Sequence, residues 1–438
     1  MDNILSLLKD LSKNTNSKVS VVGGAVRDSL LGKESKDIDA VFFGEVSDLE
    51  NTLTKSGLDF KHIDPSSTVP IYSFKYNDCV VEITLPRKEV KVVSDSLNPH
   101  RQFEYIFDPN LSVEDDAKRR DFTVNAIYVM LDDSGSFMFD DPLGGGNDLM
   151  NRTLRNCSDA FKEDPLRVFR ALRMSSDGYV LSDSFKDYVN GNLSELNDGL
   201  NKLPVERLSN EFICAFSMDH TENFFNNYID LGLSVDKFNF ICEMASIPAG
   251  PEQYHGKETV LEHSVDVMNK CKKENKIYGF LHDYGKIFTP KNILPKHFGH
   301  DKNGADKMPD LFHSLKLPNR MQNIAKIVAL EHMKVGANWL SMKPKAKLDT
   351  VETVVASRCV DELLDVVHAD MSSFTLQSDK EFRECAAFVK KPASAYVPSE
   401  VLSSCNVNLI IQEIRKAKLQ NIERIINSNN VSQSTVSV

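Results

Sequence analysis

Between Val21 and Phe43 the chain reads VVGGAVRDSLLGKESKDIDAVFF, and no other stretch restricts its fold as much. A β-branched run ending at Val22 has the character of a strand, two glycines follow, and a helical pattern starts near Ala25. A second β-branched run then carries Asp37 and Asp39. Side chains two apart on a strand point the same way, so Asp37 and Asp39 project together while Ile38 and Ala40 turn to the opposite face. Adjacent carboxylates repel unless a cation neutralises them. Oxygen donors of this kind suit Mg²⁺, which takes one or two carboxylates together with phosphate oxygens and water. Gly23 and Gly24 let backbone N–H groups approach an anion at the start of the helix, and Arg27 adds a side-chain phosphate partner. A phosphate cradle beside a metal pair points to phosphoryl transfer on a nucleotide. Taken alone, a D-x-D on a strand is more often a solvated edge, and a double glycine only a turn.

Short β-branched runs at Val19–Val22, Ile38–Phe43 and Val80–Leu85 alternate with helical patterns to about residue 150. From Phe161 onward the helical period dominates, with Leu166, Phe169 and Leu172 on one stripe and Arg167 and Arg170 beside it. The Pro- and Gly-containing stretch IPAGPEQYHG, Ile247 to Gly256, reads as a linker. Beyond it the chain is again mainly helical and rich in His and Asp to about Asp370. The polar end NSNNVSQSTVSV is expected to be disordered. At 438 residues the chain exceeds a single core. The expected divisions are 1–150, 151–246, 247–390 and a helical tail over 391–438. MDNILSLLKDLSK reads as an amphipathic helix and not a signal peptide, and no apolar run approaches the ~20 residues that span a bilayer. Eight cysteines without metal-type spacing predict inert core residues in a reducing, cytoplasmic compartment. A formal charge of -11 argues against a surface coated in nucleic-acid-binding charge. The local clusters KCKKENK (Lys270 to Lys276), KPKAK (Lys343 to Lys347) and IRKAK (Ile414 to Lys418) are solvated helix faces more often than RNA contacts.

GGAVRDSLLG followed by KDIDAVFF resembles the head motif of the class II nucleotidyltransferases, the CCA-adding tRNA nucleotidyltransferases and bacterial poly(A) polymerases. Further motifs of that family follow in order: RRDFTVNAIYV (Arg119 to Val129), DPLGGGNDLMNRTLR (Asp141 to Arg155), KEDPLRVFRALRM (Lys162 to Met174) and VERLSNEF (Val205 to Phe212). The resemblance implies an α+β nucleotidyltransferase head, a mixed sheet with flanking helices, then a mainly α-helical neck and body and an all-α HD domain. It implies that Asp37 and Asp39 hold two divalent ions, Mg²⁺, for two-metal attack of an RNA 3′-hydroxyl on a nucleotide; Glu82 is a candidate third carboxylate or a partly exposed strand residue. Gly24 and Arg27 would contact the triphosphate, with Asp28 bracing Arg27 or the helix start. Arg120, Asp121 and Asn125 would surround the sugar and phosphates, and Gly144 to Gly146 would form a mobile hinge.

Asp164, before Pro165, fits a helix N-cap. By the resemblance, Asp164 and Arg167 also select the base, with Arg170 in the same motif. A carboxylate accepts from cytosine N4 or adenine N6, and Arg167 donates to the adjacent ring nitrogen. Uracil and guanine would mispair both groups, at ~1–3 kcal/mol or more per buried group.

Further on, LEHSVDVM, YGFLHDYGKIFTP and HADMSS supply His263, His282, Asp283 and Asp370. They resemble the HD superfamily of metal-dependent phosphohydrolases, which implies a divalent ion (Ni²⁺, Mn²⁺, Co²⁺ or Mg²⁺); a degenerate HD scaffold is the alternative. His297, His300 and His332 would line that site or lie on the surface. The implied partners are the tRNA 3′ end, CTP and ATP, with no membrane and no DNA. The implied HD activities are 2′,3′-cyclic phosphodiesterase, 2′-nucleotidase and phosphatase. Two rival functions remain at this point: a poly(A) polymerase, and a phosphohydrolase with a non-catalytic RNA-binding head.

Overall fold

The computed structural model describes residues 1–63, 70–91, 103–132, 134–403 and 406–434. They form two compact units, the first made of residues 1–211 and 226–235, the second of 212–225 and 236–438.

In the first unit, strands β1 (Lys18–Val22), β2 (Asp37–Phe43), β3 (Phe60–His62), β4 (Ile71–Tyr76) and β5 (Cys79–Thr84) are followed by β6 (Arg87–Lys91) and β7 (Phe103–Phe107), which pair with each other. With β8 (Tyr128–Leu131) and β9 (Phe137–Asp140) the others form a seven-stranded sheet in the order β3-β4-β5-β2-β1-β8-β9. The sheet is mixed as expected: β2 runs parallel to β5 and antiparallel to β1. Ile38 and Ala40 face the core, while Asp37 and Asp39 are exposed on the other face. Strand β5 alternates in the same way, with Val81 and Ile83 buried and Val80 and Glu82 exposed. The N-terminal pattern is a helix, Asp2–Ser12, that buries Ile4, Leu7, Leu8 and Leu11, each worth about 1.5–3 kcal/mol of apolar transfer. After the sheet, helix Leu166–Ser176 buries the expected stripe of Leu166, Phe169 and Leu172.

The second unit is helical. Val260–Lys270 begins with a capping box between Thr259 and Glu262 and packs on Lys276–Leu281 and Val360–Asp370; His300–Ser314 packs on Asn319–Gly336. No helix among the described residues is long and apolar enough to cross a membrane.

The structure departs from the sequence expectations in five places. Ile247 to Gly256 lies within the second unit: Pro248 bridges to Thr259 and Ala249 is fully buried, so this stretch is part of a wall and not a free linker. The polar tail is helical through Ser434, because helix Val407–Ser434 buries Ile422, ties Lys418 to Glu352 at 2.9 Å and ties Asn429 to Glu384 at 3.2 Å; residues 435–438 lie outside the described residues. The segment expected as a glycine hinge is a hydrogen-bonded turn: Gly145 and Gly146 donate to the Asp141 carboxylate at 2.7 and 2.8 Å, and a Cβ on Gly145 would lie 2.0 Å from the Thr123 carbonyl. Basic clusters are partly consumed internally, with Lys347 buried against Glu381 and Lys276 against Thr221. Among the described cysteines, all free, Cys214 is exposed, and Cys157 and Cys242 are only partly buried.

Candidate functional site

In the head, the turn from β1 into helix Gly24–Leu30 passes through Gly23 at φ 86, and a Cβ there would sit 3.0 Å from Asp39 Oδ2. Glycine is therefore required both for the left-handed backbone and for the approach of this turn to the carboxylate. The parallel register sets Asp39 opposite Glu82 and Asp37 opposite Val80, so three carboxylates share one face. Desolvation, reinforced by Asp39 and Asp37, pushes the Glu82 carboxyl up; desolvation also raises Asp39, against the pull of Arg120 and Arg170. Asp39, Glu82, Arg119 and Arg120 line a cavity of about 240 Å³. Three hard oxygen donors on one face fit a divalent cation such as Mg²⁺.

The surrounding arginines are aimed by buried carboxylates. Asp116, fully buried, accepts from Arg119 Nε at 2.7 Å, from Arg120 Nη2 at 3.0 Å and from the Tyr128 hydroxyl at 2.6 Å. Burial pushes its carboxyl up, but the two arginines hold it far below the usual carboxylate range. Arg27 is braced by Asp28 through Nε at 2.8 Å, as expected, and reaches Asn125 Oδ1 through Nη1 at 2.7 Å. Asn125 donates to Asp121 Oδ1 at 3.0 Å, and Arg170 Nε donates to Asp121 Oδ2 at 2.9 Å. Burial raises Asp121, but Arg170 and the donors from Asn125 and Phe122 bring it down to about 2. Arg27, Asn125, Asp121 and Arg170 thus form one connected polar chain beneath the glycine turn.

Asp164 stands one residue before the N-cap, Pro165, of helix Leu166–Ser176; its Oδ1 accepts from the Leu166 N–H at 3.2 Å, while Oδ2 pairs with Arg207 at 3.0 Å. Arg167, 9% exposed, donates to the Ala160 carbonyl at 2.8 Å and the Arg119 carbonyl at 2.5 Å. All the head candidates are therefore brought into one neighbourhood. Sequence reasoning missed Asp116, Arg207 and Glu211, which accepts from Arg173. The spacing of Asp116 three and four residues before Arg119 and Arg120 was the available signal.

In the second unit, His263, His282, Asp283 and Asp370 converge. His263 Nε2 lies 3.5 Å from Asp283 Oδ2 and 3.2 Å from Asp370 Oδ1; His282 Nε2 lies 3.2 and 3.8 Å from the same oxygens. His300 and His332 belong to the cluster, at 3.1 and 3.6 Å from Asp283 Oδ1. His297 stands apart, bonded to Thr289 and the Pro248 carbonyl. The Nδ1 atoms of His282, His300 and His332 face the carbonyls of Gly279, His297 and Ala329 at 2.7, 2.8 and 2.9 Å. A carbonyl only accepts, so each Nδ1 carries a proton and each ring turns its Nε2 toward the carboxylates. His282 Nε2, His300 Nε2 and Asp283 Oδ1 are buried without a hydrogen-bond partner. Burial lowers His282, but Asp283 and Asp370 raise it to about 9, so the cluster stabilises positive charge, as a proton or a cation. This mixed imidazole and carboxylate set fits a divalent metal. Lys286 Nζ reaches Asp283 Oδ2 at 2.6 Å and the Ala249 carbonyl at 2.7 Å. Glu258, which sequence reasoning missed, lies 3.4 Å from His263 Nδ1 and 3.0 Å from His255 Nδ1. These groups, His282 apart, line a cavity of about 630 Å³.

Residues 19–155 match the poly A polymerase head domain. The multifunctional CCA protein of Acinetobacter baumannii (strain SDF) is 31% identical over 336 residues, covering 75% of this chain and 76% of that protein. Its counterpart in Mannheimia succiniciproducens is 32% identical over 326 residues, covering 71% and 73%. The Thermotoga maritima CCA-adding enzyme, solved in complex with tRNA, shares the fold at a TM-score of 0.65 and 17% identity, over 98% of this chain and 95% of that one. A CCA-adding enzyme solved with CTP aligns over the same shares at a TM-score of 0.63 and 16% identity.

Proposed function

The chain belongs to the family of the multifunctional CCA proteins, and from that premise we propose that it adds C, C and A to the 3′ end of tRNA from CTP and ATP without a nucleic-acid template. The observation that carries this reading is the shared face of Asp37, Asp39 and Glu82 beside the Gly23 turn and the arginine-lined cavity. Divalent ions, Mg²⁺ first among them, would supply charge neutralisation at the triphosphate and favour ionisation of the attacking 3′-hydroxyl. Asp37 and Asp39 are assigned as their ligands, with Glu82 as the third donor. Gly24 and Arg27 bind the triphosphate, Asn125 and Asp121 hold Arg27 and Arg170 in place, and Arg120 is presented by Asp116. Asp164 and Arg167 select the base. Arg167 donates to two backbone carbonyls, so reading cytosine N3 or adenine N1 requires it to exchange one of them for the ring nitrogen. Residues 1–150 act as the catalytic head and 151–246 as the selecting neck.

We also propose that 247–390 is an HD phosphohydrolase domain and 391–438 its helical tail, on the strength of the convergent His263, His282, Asp283 and Asp370. A divalent ion there would supply Lewis-acid activation of water and of a phosphate ester. Lys286, at 2.6 Å from Asp283, adds positive charge for phosphate oxygens, and His300 and His332 complete the wall.

The test is incubation with a tRNA lacking its CCA end and each labelled nucleotide in turn. Two C and one A support the reading, and an A-tract supports a poly(A) polymerase instead. Folded Asp39→Ala is expected to add neither base; wild-type rates in it would sink the metal assignment. Asp283→Ala is expected to lose hydrolysis of a 2′,3′-cyclic nucleotide with Ni²⁺, Mn²⁺, Co²⁺ or Mg²⁺ and to keep C and A addition. Absence of that hydrolysis in the wild type would make the domain a scaffold.

A further inference from the structure

Two aromatic rings at the 630 Å³ cavity of the second unit are left unpacked. Tyr254 and Phe298 both line it, and each is 75% exposed. Large apolar side chains left open beside a polar pocket mark a contact surface more often than a random exposure.

Both rings sit on anchored backbone. Tyr254 lies in the short turn Glu252–His255, closed by Gly256 at φ 58. Its neighbour His255 is held by Glu258 at 3.0 Å and lies so close to Gly250 that a Cβ there would fall 2.3 Å from His255 Cδ2. Phe298 sits between two tethered histidines. His297 is bonded to Thr289 Oγ1 and the Pro248 carbonyl, both at 2.8 Å, and His300 Nδ1 to the His297 carbonyl at 2.8 Å. Gly299, at φ 75, turns the chain from Phe298 into helix His300–Ser314. Both residues thus stand on the same short segments that position the pocket histidines, which lowers the backbone entropy cost of a ligand docking there.

The cavity lining combines two chemistries. Asp283, His263, His300 and Lys286 are groups for a metal and a phosphate ester, and Tyr254 and Phe298 add flat apolar faces. Its volume is that of a small-molecule site. A ligand with an anionic ester at one end and a flat π-system at the other satisfies both parts, and a nucleotide is that ligand.

We propose that Tyr254 and Phe298 stack on the nucleobase of a nucleoside phosphate whose phosphate faces the histidine–aspartate cluster, and that they set the preference of this site for nucleotides over simple phosphate esters. The proposal rests on the phosphohydrolase reading above. Stacking is tolerant of base identity because every base presents a π-face, so the site accepts all four bases with similar affinity.

The experiment compares wild type, Tyr254→Ala, Phe298→Ala and Phe298→Trp on a 2′,3′-cyclic nucleotide and on β-glycerol phosphate, which has a phosphate and no ring. Each alanine variant is expected to raise KM for the nucleotide roughly tenfold or more with kcat little changed, to leave β-glycerol phosphate hydrolysis at the wild-type rate, and Phe298→Trp to restore the low KM. Equal losses on both substrates, or an unchanged nucleotide KM, overturn the clamp. A second arm, equilibrium dialysis of labelled AMP in EDTA, is independent of turnover. Weaker binding by both alanine variants supports the clamp; equal binding, or none to the wild type, overturns it. Failure of the wild type to hydrolyse either substrate sinks the phosphohydrolase reading, and dialysis then still decides the stacking.

Discussion

Asp116→Asn is the sharpest test of how the head is built. The carboxylate is completely buried and faces Arg119, Arg120 and the Tyr128 hydroxyl at 2.6 to 3.0 Å. Removing one partner of a buried ion pair costs about 3–5 kcal/mol, because the remaining charge stays buried and uncompensated. The amide keeps one acceptor oxygen, so the lower end, about 3 kcal/mol, is expected for the first unit. That corresponds to a loss of roughly a hundredfold in hydrogen-exchange protection of β1, β2 and β8 at pH 7. The pH dependence carries the sign. The folded-state carboxyl of Asp116 is held far below its ordinary value, so its contribution is present above about pH 4 and is lost as pH falls toward the folded value. The gap between wild type and Asp116→Asn is therefore expected to be widest near neutrality and to narrow by about 1.4 kcal/mol per unit below pH 4. Arg120 also loses its brace, so KM for CTP is expected to rise. Protection within threefold of wild type at pH 7, or a gap that stays constant down to pH 3, would refute the argument that Asp116 holds this arginine pair.

Arg167→Ala removes the donor to cytosine N3 and adenine N1 but leaves Asp164, so the ratio of kcat/KM for CTP over UTP is expected to fall, with turnover surviving at Asp37 and Asp39; a charged hydrogen bond of ~1.5–3 kcal/mol is at stake, and an unchanged ratio would assign selection elsewhere. Gly285→Ala places a Cβ 1.9 Å from the His300 carbonyl and 2.5 Å from the Gly304 nitrogen. With only backbone to yield, helix His300–Ser314 must shift, at about 1–3 kcal/mol, and bound Mn²⁺ or Ni²⁺ measured by elemental analysis is expected to drop while C and A addition continues; full metal occupancy would show that the helix tolerates the shift.

What the sequence settled by itself was local. Strand period alone put Asp37 and Asp39 on one face and Ile38 and Ala40 on the other, because side-chain direction alternates along any extended chain. The Leu166, Phe169 and Leu172 stripe and the N-terminal amphipathic helix were legible for the same reason, as periodicities of single elements. The tertiary structure decided what meets across sequence. Glu82 becomes the third carboxylate only because β2 and β5 run parallel in a register that sets it opposite Asp39. Arg207 reaches Asp164 from 43 positions away, and Glu258, outside every motif read in the sequence, lies beside His263 and His255. Ile247 to Gly256 looked like a linker because Pro and Gly are turn residues wherever they stand; whether such a turn spans solvent or walls a pocket depends on what packs against it, and here His297 and Lys286 close on it through the Pro248 and Ala249 carbonyls. The polar end from Asn427 looked disordered because of its composition, yet helix Val407–Ser434 runs through Ser434 and Asn429 is tied to Glu384, a partner that no local window of sequence contains.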